Sequence, residues 1–304
     1  MSINQVHRVK SIGEFHKMKG LPSPQHPLIS LFDYGSFNCS QEIHHKHFVF
    51  DFYHISIKRI NGVKYKYGQN HYDFEDGVMF FIAPNQVFSI EVIEELASPK
   101  SGWILMVHPD FFWNTSLAKN IKNYNFFDYS VHEALFLSEK EETTLNTIVK
   151  NIEQEYNNNL DNFSQNIIVS QIETLLNYSD RYYQRQFITR KTNNHNILEK
   201  LELILEEYFN DQNFSGLPSV QFLADSLNLS PMYLSSLLKS LTGLTTQQHI
   251  HEKLIEKAKE KLSTTELTVS EIAFELGFEH SQSFSKLFKV KTSLSPLEFR
   301  NSFN

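Results

Sequence analysis

The chain has 304 residues, 40% of them hydrophobic and 13% aromatic. That is length for about two domains and enough apolar material for packed cores, so general disorder is excluded. Its 28 Lys and Arg against 35 Asp and Glu give a net charge of -7, which excludes a uniformly basic nucleic-acid coat and leaves only a local phosphate footprint open. The single cysteine, Cys39, rules out an intrachain disulfide and fits a reducing compartment. The first residues, MSINQVHRVKSIGEF, carry no secretory apolar stretch, and no apolar run approaches a membrane span. A cytoplasmic protein without membrane contact is the expectation.

Residues 1–28 hold scattered apolar side chains and Pro22, Pro24 and Pro27, which read as an arm or loop. From Leu28 to about Val107 the signals are those of strands. His47 to Ile60 is aromatic and β-branched, and Asn61-Gly62 is a strong hairpin turn. Val63, Tyr65 and Tyr67 then alternate with lysines at period two. Asp76-Gly77 marks another turn before a strand at Val78 to Ile82. Pro84-Asn85 turns the chain into a strand at Val87 to Val92. Short strands at this spacing predict a small antiparallel barrel or jelly roll. Alternation along one strand places Phe48, Phe50 and Phe52 on its interior face. His45, His47, Val49 and Asp51 fall on the other.

From Ser138 the period becomes helical. Leu145, Ile148, Val149, Ile152 and Tyr156 form one stripe, Asn157 to Asn162 breaks it, and Ile168, Ile172, Leu175 and Leu176 resume it. This predicts a helical hairpin whose stripe packs on the barrel or joins a second subunit. Arg190 to Asn196, RKTNNHN, reads as a polar linker. The expected division is 1–137, an effector-sensing domain with its arm; 138–190, a dimerising hairpin; and 191–304, a DNA-binding domain. The fold class is α+β multidomain.

The segment Ser219–Leu241, SVQFLADSLNLSPMYLSSLLKSL, has helix-turn-helix grammar. A helix carries Leu223, Ala224 and Leu227, and Asn228 tolerates the left-handed turn. Ser230 offers an N-cap, Pro231 takes the first helical position, and Leu234, Leu237, Leu238 and Leu241 are buried. Val269–Lys289, VSEIAFELGFEHSQSFSKLFK, repeats the pattern. Thr268 and Glu271 form a capping box, Ala273 takes the small position and Gly277 the turn, with Phe284, Leu287 and Phe288 on the buried face. Thr246 to Leu262 reads as one linking helix of roughly 25 Å, able to hold two recognition helices on successive major-groove segments. From Leu217 onward nine Lys or Arg face nine Asp or Glu, so any DNA contact must come from the arrangement of charges.

These motifs, with the terminal Ser295-Pro296 and Phe299-Arg300, make residues from about Ser219 to Arg300 resemble the DNA-binding domain of the AraC family of transcription regulators. The resemblance implies that the first recognition helix presents Met232, Ser235 and Ser236, with Lys239 near phosphate. The second would present Ser281, Gln282, Ser285 and Lys286, with Gln282 suited to adenine and Lys286 to guanine. The chain departs from the family pattern at Lys253, Ser293 and Ser236. Residues about 28–107 resemble the cupin-like effector domain that many AraC-family proteins carry. The resemblance implies double-stranded DNA, an unidentified small-molecule effector, a homodimer and, for an activator, RNA polymerase as partners.

His44, His45 and His47, with Asp51, are candidate metal ligands. Metal-binding relatives supply a further His a few residues after the later proline. Here Asn85, Gln86, Val87 and Phe88 follow Pro84, so no metal, cofactor or catalytic residue is expected. The alternative is a cupin-type metalloenzyme fused to a DNA-binding domain.

Overall fold

The computed structural model describes residues 6–36, 46–60, 65–67, 70–72, 77–90, 100–130, 133–158, 163–189, 191–210 and 216–302. Contacts divide the chain into two units, residues 1–186 and 187–304.

The first unit opens with a short strand β1 (Val6–Val9) and a helix α1 (Ile12–Met18) where the sequence reads as an arm or loop. Ser11 caps α1 by accepting Glu14 N–H, and the helix buries Ile12, Phe15 and His16. The remaining strands are β2 (Ile29–Asp33), β3 (Lys46–Phe50), β4 (Tyr53–Ile60), β5 (Tyr65–Tyr67), β6 (Asn70–Tyr72), β7 (Val78–Ile82), β8 (Val87–Ile90), β9 (Lys100–Val107) and β10 (Leu135–Phe136). A short helix, α2 (Leu117–Asn120), lies between β9 and β10.

The strands form two open sheets and a ribbon. The orders are β1-β3-β8, β10-β7-β4-β9-β2, and β5-β6. The expected barrel is corrected on two points. No sheet closes on itself among the described residues, and β1 runs parallel to β3, so the region is not purely antiparallel. The aromatic, β-branched segment from His47 to Ile60 bends at Asp51–Phe52 and passes from the three-stranded sheet to the five-stranded one. The hairpin expected around Asn61-Gly62 lies outside the described residues. Strand β4 is central, its two edges taken by β7 and β9, and β5 pairs with β6.

A core between the sheets gathers Val9, Ile12, Phe15, Tyr34, Phe48, Phe50, Phe52, Ile82, Ile104 and Met106. Phe48, Phe50 and Phe52 are 3%, 3% and 0% exposed, as their alternation predicts. Along the same inner face β4 carries His54 and Ser56, both buried. His54 Nε2 lies 3.3 Å from Ser56 Oγ, while its Nδ1 is buried without a hydrogen-bond partner. The Lys58 ammonium lies over the rings of Tyr34 and Phe80.

The outer face of the five-stranded sheet is covered by α3 (Glu139–Asn157) and α4 (Ser164–Thr189). Ser138 and Glu141 form a capping box at the start of α3. Trp103 Nε1 donates to Asn146 Oδ1 at 2.9 Å, and the Phe81 and Tyr183 rings meet at 6.2 Å. Leu145, Ile152, Ile168, Ile172, Leu175 and Leu176 are each 0% exposed within one chain. The stripe is therefore consumed by packing in its own unit, which removes the surplus apolar area that pointed to a second subunit. The linker expected at Arg190 to Asn196 is helical from Lys191 onward, the start of α5 (Lys191–Asn210).

The second unit holds α5 followed by α6 (Val220–Ser226), α7 (Pro231–Thr242), α8 (Thr246–Thr264), α9 (Val269–Glu275), α10 (Ser281–Thr292) and α11 (Pro296–Asn301). It has two cores. One joins Leu201, Leu205, Leu223, Ala224, Leu234, Leu238 and Ile250. The other joins Leu254, Ala258, Leu262, Ile272, Ala273, Phe284 and Phe288, among others. Helix α8 contributes to both, as a strut should.

Candidate nucleic-acid interface

Each helix pair is fixed by its caps. Ser230 Oγ accepts Tyr233 N–H, Pro231 begins α7, and Asn228 takes φ 55°, as its turn requires. In the second pair Thr268 and Glu271 form the reciprocal capping box of α9. Gly277 sits at φ 89° with a Cβ position that would collide with the backbone of Gly216, so no other residue fits. Ala224 and Ala273, the predicted small positions, are both 0% exposed. Helix α8 has 19 residues and so measures about 28 Å at 1.5 Å per residue.

Helix α11 locks the second pair. Phe299 packs edge-on against Phe288 at 5.5 Å. Arg300 donates through Nε to Leu262 O at 3.2 Å and through Nη2 to Leu267 O at 2.6 Å. It thus satisfies a carbonyl in the last turn of α8 and one in the loop that leads to α9. This is the physical work of the terminal Phe-Arg pair.

Helix α10 buries Phe284 and Phe288 and leaves Gln282 and Lys286 exposed one turn apart on its other side, with Ser281 and Ser285 half-buried beside them. Ser285 Oγ donates to Ser281 O at 2.9 Å, which leaves its lone pairs for an outside donor. On α7, Met232 and Ser235 are half-buried and Lys239 is exposed. Ser236 is different. It is buried at 8% exposure, so its hydroxyl does not face the surface that carries Lys239, and it leaves the set of groove candidates.

The arrangement of charge resolves the neutral count. Lys253 and Lys257 on α8 both pair with Glu206 of α5, and Lys261 pairs with Glu275. The two lysines hold the Glu206 carboxyl down at about 2. Lys253, which stands where the family has Arg, therefore ties α8 to α5 instead of facing a phosphate. The exposed lysines of the recognition helices are Lys239 on α7 and Lys286, Lys289 and Lys291 on α10. Sequence reasoning missed Lys289 and Lys291. Their signal was the basic last turn of α10, which also suits the helix dipole.

The histidine candidates belong to the first unit. His44 and His45 lie outside the described residues, as does Cys39. His47 on β3 is half-buried and stands opposite Ser89 of β8, while Phe88 pairs with Phe48. Asp51 accepts Arg8 Nε at 2.8 Å. No helix among the described residues is long and apolar enough to cross a membrane.

A family model described as a helix-turn-helix domain matches residues 223–302. The chain is 33% identical over 114 residues to an uncharacterized HTH-type transcriptional regulator of Pseudoalteromonas carrageenovora, a match covering 38% of this chain and 64% of that one. It is 36% identical over 108 residues to the HTH-type transcriptional activator RhaS of Enterobacter sp. (strain 638), covering 36% of this chain and 37% of RhaS. It is 31% identical over 97 residues to the bifunctional transcriptional activator/DNA repair enzyme AdaA of Bacillus subtilis (strain 168), covering 32% and 46%; that match is confined to the helix-turn-helix region. The chain spans less than two thirds of each of these relatives. With tandem helix pairs, a shared strut and this match, the C-terminal unit belongs to the AraC-type helix-turn-helix DNA-binding domains.

Proposed function

We propose that the chain is a sequence-specific transcription regulator that binds double-stranded DNA through α7 and α10 and responds to a small molecule held by its first unit. The observation that carries the reading is the pair of matched helix-turn-helix units on one strut. Each has its apolar side in a core and polar side chains left outside. The proposed contacts are Met232, Ser235 and Lys239 from α7 and Ser281, Gln282, Ser285 and Lys286 from α10, with Lys289 and Lys291 added as phosphate partners. Gln282 suits adenine and Lys286 guanine. The proposal places the protein in the cytoplasm, assigns it no catalytic step, and includes RNA polymerase as a partner if it activates.

A homodimer remains part of the proposal, moved off the hairpin stripe, which is already covered. Two recognition helices in one chain do not need a second copy to read successive groove segments. Sedimentation of the full chain at micromolar concentration tests this, and a monomer at all concentrations retires the dimer.

The functional test is selection of bound duplexes from a random library. The expected product has two conserved tracts about one helical turn, roughly 10 base pairs, apart. Retention of all sequences alike would overturn the regulator reading.

A further inference from the structure

We infer that the open cleft between α3 and the outer face of the five-stranded sheet binds a small zwitterion, of which a free α-amino acid is the simplest form. This rests on the effector reading and gives it a place and a ligand chemistry. The cleft has a volume of about 390 Å³, within the range of small-molecule sites.

Its wall is built around Trp103. The β2–β9 register sets Asp33 directly opposite Trp103 on the same face, so the carboxylate stands beside the indole. The ring is held by its bond to Asn146 Oδ1. Asn146, Lys150 and Glu153 follow helical spacing along α3 and line the opposite wall. One end is closed by Arg59, whose guanidinium donates twice to Glu142 Oε2. That pair is mutually neutralised.

Three exposed charges remain at the cleft: Asp33 and Glu153, both negative, and Lys150, positive. Among the described residues none of them forms an ion pair. Asp33 spends only Oδ1, on Gly35 N–H. Lys150 and Glu153 are one turn apart on α3 and so present opposite charges side by side. An ammonium group fits between Asp33 and Glu153, beside an indole that favours cations. A carboxylate on the adjacent carbon meets Lys150. A plain amine would leave Lys150 facing a like charge, and a plain carboxylate would meet Asp33 and Glu153.

The test is melting of the full chain in millimolar amounts of each standard free amino acid, with putrescine and acetate as single-charge controls. At least one amino acid is expected to raise the melting temperature of the first unit by about 5 °C near saturation, while neither control does. Asp33→Asn and Lys150→Met, both at exposed positions that leave folding intact, are expected to weaken that binding about tenfold or more. No response to any amino acid, an equal response to a control, or binding undiminished in both variants would overturn the inference. Affinity for the selected duplex, measured in the same samples, separates it from the effector reading. An amino acid that binds the cleft without changing DNA affinity keeps the site and overturns its regulatory role. A different small molecule that changes DNA affinity, with no amino acid bound, overturns the site and keeps the effector reading.

Discussion

Ser293 ends α10 at φ 65°, a left-handed backbone that costs an L-residue roughly 1–2 kcal/mol. It stands where the AraC-type pattern has Gly, so Ser293→Gly is expected to stabilise the second unit by about 1 kcal/mol, part of the gain being lost to the freer unfolded chain. Thermal unfolding of the two proteins measures it, and no gain would mean the turn is not strained. In the first unit, Phe50 sits in the inter-sheet core at 3% exposure. Phe50→Ala should cost about 3–5 kcal/mol. His47→Ala, on a half-buried side chain, should cost under about 0.5 kcal/mol. Denaturant unfolding with the order reversed would show the strand's faces exchanged. His54 gives a pH signature. Burial, reinforced by the Lys58 charge, holds its pKa well below 6.5, so the folded state keeps it neutral while the unfolded chain protonates near that value. The unfolded state then binds more protons, and stability of the first unit falls as pH drops below about 6.5. His54→Phe should flatten that slope between pH 6.5 and 5, and an unchanged slope would assign the effect elsewhere. Caps and turns were legible from single residues, because Ser230, Pro231, Thr268, Glu271 and Asn228 act through local backbone chemistry. Ser236 was not. It lies one turn from Met232, Tyr233 and Lys239, and the covering of so short a side chain depends on packing that spacing does not report.

At the scale of elements, helices with a long apolar stripe were read well, α1 and the start of α5 were missed, and strand pairing was read poorly. The stripes of α3, α4, α7 and α10 repeat every turn, so burial of Ile152, Ile172, Leu238 and Phe284 follows from the sequence. What a stripe packs against is non-local. The α3–α4 stripe left both the barrel and a second subunit open as its cover, and its residues are buried within one chain. Strand β1 is four residues whose parallel partner β3 lies forty positions away, and no local pattern announces such a pairing. Helix α11 offers a test at this scale. Arg300→Ala would leave Leu262 O and Leu267 O without their donor and should destabilise the second unit by about 2 kcal/mol. Arg300→Lys cannot reproduce the fork and should recover only part of that. If both variants unfold like the wild type, α11 does not lock the second pair.

For the whole molecule, the helix-turn-helix architecture was legible in its last third because the two units carry redundant signals, each with its cap, small residue and turn. The neutral charge count was misleading until pairing was known. Glu206 and Glu275 engage Lys253, Lys257 and Lys261 of α8, and the exposed lysines of the recognition helices concentrate on α10. On the proposed function, most base discrimination lies under the second unit, with Lys286 reading bases and Lys289 and Lys291 holding the backbone. The most direct measurement titrates wild type and Lys286→Ala against the selected duplex and a scrambled one at two salt concentrations. The expected result is a loss of about 1–3 kcal/mol on the selected duplex, little loss on the scrambled one, and an unchanged salt slope. Equal losses on both duplexes, with the slope reduced by about one, would assign Lys286 to the phosphates, and no loss on either would contradict the docking of α10 in the groove.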